Sequence, residues 1–383
     1  MKTIIDILSH FIPLSNKIVF FNSFDGMYND NPKYISEQLY IIDPTIKQVW
    51  YISDKCTETV FPNYIYIIRE KNIKYYYFLN RAKIIIENGI GMYYAFIERN
   101  KLYKYKLLKK NKQIDIATWH GTPLKLIGYD TLWDKNKYLF STADYLIAGS
   151  FYEKKIFTSA FRNQIPIQMM GNPRNDLLYC HDSNRLDMIK EKLGLSKKDK
   201  IVLFAPTFRD HIYHSNLKKK YDYMMNIDYE RVILTLEKKF GGKWQFVFRG
   251  HQFIKNEISK KEFLSKIVDG NRCDDMAEYL AVCDVLITDF SGSLFDVAHT
   301  TKPCFLYAPD KDSYIYYTHG IYGDIDNLPY SMCKNNIELE SAILNFNRDK
   351  YDEKIHQFVI DNGYILNGNS SKRVSSFVYE LLK

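Results

Sequence analysis

Lys200-Ile201-Val202-Leu203-Phe204-Ala205 is the run whose reading decides the fold. An unbroken apolar run of this length reads as a strand buried on both faces, the signature of a parallel sheet. Before it lie a polar helical stretch, Asn184–Leu193, then Gly194 and a lysine cluster. Upstream of that break, short apolar strands already alternate with helical stretches. The strands are Ile18–Phe21, Gln48–Ile52, Tyr64–Ile68, Lys83–Glu87, Ile114–Thr118 and Tyr145–Ala148; the helices include Pro32–Ile41 and Ile73–Asn80. Downstream the alternation restarts, with a helix over Tyr229–Phe240 and strands at Trp244–Arg249, Val285–Thr288 and Cys304–Tyr307. A terminal helix covers Ser371–Leu382. Two successive βαβ series predict an α/β protein with two doubly wound domains facing across a cleft, 1–180 and 181–383, the terminal helix belonging to the second.

The length of 383 residues agrees with two domains. A hydrophobic share of 46% and a charged share of 26% are ordinary for a globular chain. The 32 tyrosines and 24 phenylalanines are not, and AT-rich codon usage accounts for them. A net charge of +8 favours anionic partners without naming one. Cys56, Cys180, Cys273, Cys283, Cys304 and Cys333 form no CxxC pair and no zinc spacing, which predicts free thiols in a reducing compartment. No signal-peptide pattern and no apolar run near the ~20 residues of a spanning helix is present. The expectation is a cytoplasmic protein, peripheral on the inner face of the membrane.

Five loops at strand ends carry groups suited to an anion. Trp119-His120-Gly121-Thr122-Pro123 follows an apolar strand; Gly121 permits close backbone approach, and Pro123 suits the first turn of a following helix. His120 reads either as a general base or as a buried histidine bonded to backbone. In Gly171-Asn172-Pro173-Arg174-Asn175-Asp176, Arg174 either reaches a phosphate or is a solvated turn arginine. Ala205-Pro206-Thr207-Phe208-Arg209-Asp210 offers Thr207 and Arg209 at the end of the strand that opens the second domain; the plainer reading pairs Arg209 with Asp210. Phe248-Arg249-Gly250-His251 places two cationic groups across a glycine. Thr288-Asp289-Phe290-Ser291-Gly292-Ser293 ends a strand and caps a helix, with Asp296 a turn further on, placed to accept from a ribose hydroxyl. Together the loops predict a diphosphate ligand. No Walker A loop is present, which argues against nucleoside triphosphate hydrolysis. Asp324-Ile325-Asp326 reads as solvated acids rather than a metal site, and no metal or cofactor is expected.

Lys101–Lys112 holds six lysines and no acid: Lys101, Lys104, Lys106, Lys109, Lys110 and Lys112. Leu102, Tyr105 and Leu108 fall on one helical stripe, so the segment reads as a helix that lies on an anionic leaflet or steers a polyanionic acceptor; a solvated face is the alternative.

The ordered set WHGTPLK, GNPRND, APTFRD, FRGH and TDFSGSLFDVAHTTKP resembles the CDP-glycerol glycerophosphotransferases of teichoic-acid and capsular polymer synthesis. Asn367-Gly368-Asn369-Ser370-Ser371-Lys372-Arg373-Val374 is similar to that family's DGxxSxRV close. The likeness runs from about residue 115 to the end. It implies a GT-B fold, a CDP-glycerol-type donor bound mainly by the C-terminal domain, and CMP as leaving group. It also implies donor contacts at Trp119, Gly121, Thr122, Pro123, Arg174, Pro206, Thr207, Arg249, Gly250, Ser291, Gly292 and Asp296, with His120 and His251 as the functional histidines. Arg209 joins the donor set on its position alone. Gln252 replaces the usual proline, Ser291-Gly292 replaces a paired serine, and 319–330 departs from the usual FDYE…PGP stretch.

These readings predict an enzyme that moves glycerol phosphate, or a similar polyol phosphate, from a CDP donor to a hydroxyl of a lipid-linked saccharide or polyol-phosphate acceptor. Two rivals stand beside it: a GT-B nucleotide-sugar glycosyltransferase or epimerase, and a non-enzymatic basic protein that binds polyanions. Nucleic acid is not an expected partner.

Overall fold

The structure, a computed structural model, describes residues 11–92, 94–98, 101–105, 109–131, 138–141, 143–162, 164–207, 209, 226–250, 267–317 and 320–383. It divides into two compact units: 1–120 with 127–176 and 363–383, and 121–126 with 177–362.

The first unit carries β1 (Ser15–Asn22), β2 (Lys47–Tyr51), β3 (Ile65–Ile68), β4 (Ala82–Glu87), β5 (Tyr94–Glu98), β6 (Lys101–Tyr105), β7 (Ile114–Ala117), β8 (Tyr138–Ser141), β9 (Tyr145–Ala148) and β10 (Ile167–Met169). Seven of them form a parallel sheet in the order β10-β9-β7-β4-β1-β2-β3. Phe20 stands beside Val49 on one side and Ile85 on the other. The apolar runs are continuous because both faces are covered. On one face Val19, Phe21, Ile84 and Ile86 pack in the same core as Ile35 and Leu39 of the helix Asp30–Ile42; on the other Ile18, Phe20 and Ile85 share a core with Tyr75 and Leu79 of the helix Ile73–Arg81. The order reverses between β1 and β4, and the loops leaving their carboxyl ends diverge there, the usual crevice for a ligand.

β5, β6 and β8 form a separate antiparallel sheet. Lys101–Tyr105 is therefore a strand of a hairpin, with Glu98 opposite Lys101 and Ile97 opposite Leu102, and not the start of a helix. The helical stripe was a coincidence of spacing; the tyrosine-rich KLYKY run suits a strand, and its partner lies only a few residues upstream.

The second unit holds β11 (Lys200–Ala205), β12 (Trp244–Phe248), β13 (Val268–Asp269), β14 (Val285–Thr288), β15 (Cys304–Tyr307) and β16 (Ser331–Cys333). They are all parallel, in the order β13-β12-β11-β14-β15-β16. Leu203 is flanked by Val247 and Leu286. The reversal falls between β11 and β14.

The boundary differs from the expected one in two places. The terminal helix, Ser370–Leu382, belongs to the first unit. Its Val374, Val378 and Leu382, spaced by one turn, share a core with Ile35 and Leu39, and Ser375 Oγ donates to the Ile35 carbonyl at 2.9 Å. Its amino end receives the Asp176 carboxylate, which accepts from Ser370 N at 2.9 Å and Ser371 N at 2.6 Å. A carboxylate there satisfies free N–H groups and complements the helix dipole. The similarity of the last motif to a family pattern thus has a packing basis: GNPRND and the chain end hold one another. The second difference is Gly121–Leu126, which leaves the first unit and joins the second.

Candidate active site

In the first unit the site is built at the β1/β4 reversal. The His120 Nδ1 lies 2.8 Å from the Asn88 carbonyl oxygen. A carbonyl only accepts, so Nδ1 carries the proton and Nε2 is left with the basic lone pair. Asn88 is in turn held by its side chain: Oδ1 accepts from Phe24 N at 2.9 Å, and Nδ2 donates to Asp30 Oδ2 at 3.2 Å. Asp30 pairs with Arg174 at 3.0 Å, both nearly buried. Asn31 ties the same cluster to the strand end that carries the histidine, accepting from Arg174 N at 3.1 Å and donating to the Thr118 carbonyl at 3.0 Å. The loop bearing Asn88 is pinned by two more carboxylates. Glu87 accepts from Gly89 N at 2.8 Å and Gly91 N at 2.6 Å, and Asp115 accepts from Met92 N at 2.7 Å.

The imidazole keeps an accessible edge, yet the surrounding protein removes enough water to push its pKa below the ordinary 6.5; Arg174 pushes the same way, while the Asn88 carbonyl and Asp30 oppose. The Trp119 ring stacks on the imidazole at 4.6 Å and meets Phe157 and Phe161 at 5.7 and 5.5 Å. Trp119 has a left-handed φ of 52°, as does Asp30 at 57°, so the chain bends sharply at both. Asp30, Asn31 and Asn88 were not anticipated. The signal was present in topology alone: polar residues just beyond the first and fourth strands of a doubly wound sheet.

In the second unit the equivalent reversal is closed by Asp289. Its carboxylate accepts from Thr207 N at 2.7 Å, Phe290 N at 2.6 Å and Arg209 Nη2 at 2.9 Å. Arg209 also grips Asp310 through Nε and Nη2, at 2.7 and 2.9 Å, and gives Nη1 to the Thr207 carbonyl at 2.8 Å. Its guanidinium lies over the stacked Phe290 and Tyr314 rings. Arg209 is thus a buried strut between two carboxylates, Asp289 and Asp310, while Asp210 lies outside the described residues. Thr207 Oγ1, by contrast, is buried with no hydrogen-bond partner among the described residues. An unmet buried hydroxyl at a sheet reversal marks a place where a ligand's polar group is expected.

Arg249 donates to the carbonyls of Gly270, Cys273 and Asp274, and so fixes the turn after β13 while keeping its charge unpaired by those neutral acceptors. Ser291 Oγ accepts from Ser293 N and Oγ, at 3.2 and 2.9 Å. The helix there is only Ser293–Val297, begun by Gly292 without a side-chain cap, so the expected dipole is short. A Cβ built on Gly292 would stand 3.1 Å from the Thr122 carbonyl, a tight approach. Asp296 is buried a few residues on. Gly121 has φ 143°, beyond easy reach of other residues. No helix follows Pro123; Lys125 instead bridges Ile321 in antiparallel fashion, and Tyr322 N donates to the Leu124 carbonyl at 2.8 Å.

His251 and Lys106 lie outside the described residues, and Lys101 and Lys104 are described in backbone only. Of the remaining lysines in that segment, Lys109 pairs with Asp144 at 2.6 Å, and buried Lys110 donates to the carbonyls of Ile12 and Asn80. These two are committed to the protein, against the expectation of a free basic face; Lys112 is exposed. Asp326 is paired with Lys311, and Asp324 caps its own turn through Asp326 N. Burial holds the Cys273 and Cys283 thiols up at about 12 and about 11, which removes both as nucleophiles.

A family model for CDP-glycerol:poly(glycerophosphate) glycerophosphotransferase matches residues 4–380. The chain belongs to this glycerophosphotransferase family. The match includes the first hundred residues, beyond the span of the motif likeness. The enzyme is 31% identical to the teichoic acid poly(glycerol phosphate) polymerase of Bacillus spizizenii, over 97% of this chain and 93% of that protein. It is 30% identical to the protein of the same name from Staphylococcus epidermidis, where it spans 51% of the relative's length. Among solved structures, a variant of the wall teichoic acid polymerase TagF soaked with CDPG superposes with a TM-score of 0.81 at 26% identity, covering 100% of this chain and 93% of that one. The glycerophosphotransferase therefore has a GT-B-type α/β fold, and its chemistry is CDP-glycerol-based. Among the described residues no helix is long and apolar enough to cross a membrane.

Proposed function

We propose that this glycerophosphotransferase moves glycerol phosphate from CDP-glycerol to a hydroxyl of a membrane-linked polyol-phosphate or saccharide acceptor, with release of CMP. His120 Nε2 takes the acceptor proton as the hydroxyl oxygen bonds to the β-phosphorus of the donor. The bond from that phosphorus to the bridging oxygen breaks, and CMP departs with the electron pair. The first unit supplies this base and serves the acceptor; the second supplies most of the donor contacts. The observation that carries the reading is the His120 tautomer, fixed by Asn88 with Nε2 as the basic atom. A pKa held below 6.5 supports it, because the imidazole is then largely unprotonated at neutral pH.

For the donor, the unmet Thr207 hydroxyl supports a nucleotide contact beside Pro206. Arg249 and His251 offer counter-charge to the diphosphate, on which charge grows as CMP leaves, and Gly250 lets its backbone approach closely. Ser291 and Gly292 supply backbone N–H groups, Asp296 suits a ribose hydroxyl, and Trp119 and Gly121–Pro123 complete the donor set. The enzyme would work on the inner face of the cell membrane, drawn there in part by Lys101, Lys104, Lys106 and Lys112. The test is direct: purified enzyme with CDP-glycerol and a lipid-linked acceptor should yield CMP and an acceptor longer by one glycerol phosphate. Turnover of a UDP-sugar instead, with CDP-glycerol inert, would overturn the assignment.

A further inference from the structure

The base does not stand alone. Among the described residues, the polar groups that fix His120 come from the first unit and lie outside the motif that contains the histidine. We propose that Asn88 and Asp30 are positioning residues of the transfer reaction: Asn88 selects the Nδ1–H form of His120, and Asp30, locked by Arg174, holds Asn88 in place and sets a negative charge beside the ring. The inference rests on His120 being the base.

The geometry assigns each part a separate duty. The Asn88 carbonyl sits 2.8 Å from Nδ1 and has no way to accept except from a protonated nitrogen. That acceptor is the main-chain carbonyl, so the tautomer depends on where the backbone at Asn88 stands; were it to move out of reach, the imidazole would exchange tautomers, and Nδ1 rather than Nε2 would offer the lone pair for part of the time. The side chain anchors that backbone at both ends, Oδ1 accepting from Phe24 N and Nδ2 donating to Asp30. Beyond it, Glu87 and Asp115 hold Gly89, Gly91 and Met92 by their amides. Asp30 is itself fixed by its bond with Arg174 and by Asn31 N, which donates to its Oδ1 at 2.7 Å. Among the described residues, the charged groups acting on the imidazole are Asp30, at the start of its helix, and Arg174, from the turn after β10; Phe24 and Trp119, its aromatic neighbours, carry no charge. A carboxylate and a guanidinium of opposite effect bracket the ring, so loss of one leaves the other uncompensated. This arrangement is the orienting partner of a base in another guise, with a carbonyl and its supports in place of a single carboxylate.

The test uses the full-length enzyme with histidine labelled by nitrogen-15, His120 being assigned from the signal lost in His120→Ala. In the native enzyme the shifts should report the Nδ1–H tautomer. Asp30→Asn keeps the shape but loses the charge, and Arg174 remains; the His120 pKa should fall further, and the acidic limb of the pH–rate profile should move to lower pH with it. Asn88→Ala keeps the main-chain carbonyl but loses the two side-chain bonds that anchor it, so the tautomers should mix and kcat should fall by roughly 10- to 100-fold, part of the roughly 10²–10⁴-fold that a general base supplies. Should Asn88→Ala fail to fold, the near-isosteric Asp30→Asn and its pH profile still decide. Unchanged tautomer and pKa in both variants would overturn the proposal and leave Asn88 and Asp30 as mere packing. Normal turnover by His120→Ala would overturn it differently, by removing the base itself, and is read in a variant that leaves Asp30 and Asn88 intact.

Discussion

Arg209→Met separates two accounts of a residue that the sequence placed in the donor site and the structure places in the core. In the native enzyme its guanidinium, 1% exposed, neutralises Asp289, which is fully buried, and Asp310, which is 17% exposed. Methionine restores much of the apolar stem against Phe290 and Tyr314 but removes the charge. Breaking a buried pair by removing one partner costs about 3–5 kcal/mol, because the other charge remains. Two features hold the cost toward the lower end. Asp289 keeps the Thr207 and Phe290 amides, and Asp310 has access to water. An effect of about 3 kcal/mol follows, a large share of the ~5–15 kcal/mol by which folded domains are stable. For a domain of 150–250 residues this lowers the melting temperature by about 6–12 °C.

The assay is a thermal melt followed by circular dichroism, together with calorimetric titration of CDP-glycerol at a temperature where the variant is folded. The melting temperature should fall in that range while donor affinity stays within about threefold of native. A melting temperature unchanged within error, combined with donor binding weakened tenfold or more, would refute the strut and restore Arg209 as a ligand.

His120→Ala should lower kcat by roughly 10²–10⁴-fold with little change in the KM for CDP-glycerol; near-normal turnover would remove the base from this position. In the native enzyme a base must lose its proton to work, so kcat/KM should rise with pH through a limb lying below 6.5, and that limb should vanish in His120→Ala; a limb above 6.5 would contradict the lowered pKa. Gln at Lys101, Lys104, Lys106 and Lys112 together should weaken co-sedimentation with anionic vesicles and leave the melt unaltered, whereas Lys110→Gln should lower the melting temperature, since two buried carbonyls lose their donor. Gly171→Ala should loosen the terminal helix, because a Cβ there would stand 2.1 Å from Ser370 Oγ at a backbone φ of 85°; unchanged amide exchange across Ser370–Leu382 would count against that docking.

The sheets were legible because their strands are buried on both faces. KIVLFA, VLIT and CFLY fall where the apolar runs said, and the helix Tyr229–Phe240 matches its expected limits. What periodicity could not reach was pairing at a distance. KLYKY was read as helix because a stripe of Leu102, Tyr105 and Leu108 has the right spacing, and only the hairpin with Tyr94–Glu98 settles it as strand. Pro123 looked like a helix start, but the segment extends to bridge Ile321, some two hundred residues on. The terminal helix was assigned to its neighbour in sequence and packs instead on Ile35 and Leu39. In the site, the histidine and the Thr207 loop were visible as local motifs. Asp30 and Asn88 were not, since nothing near them in sequence marks them; they become meaningful only where β1 and β4 diverge.

The arginines show why charge in a loop is a poor guide to a ligand. Both sheet reversals place a buried aspartate beside an arginine from elsewhere in the chain: Asp30 with Arg174, and Asp289 with Arg209. Each arginine is paired within its own unit, and each aspartate also holds backbone or side-chain donors. The two units then spend those acceptors differently. In the first, Asp30 steadies Asn88, whose main-chain carbonyl fixes the imidazole, and the product is a histidine of defined tautomer. In the second, Asp289 holds the Thr207 and Phe290 amides, and the product is a rigid turn whose hydroxyl has no protein partner. A rigid unmet hydroxyl suits recognition of a polar group on a fixed ligand, while a tuned imidazole suits proton transfer. The division of labour proposed for the units therefore follows from where each buried pair directs its remaining hydrogen bonds, and that is also why substituting Arg209 and Arg174 should have unlike effects: the first on stability alone, the second on the His120 imidazole as well.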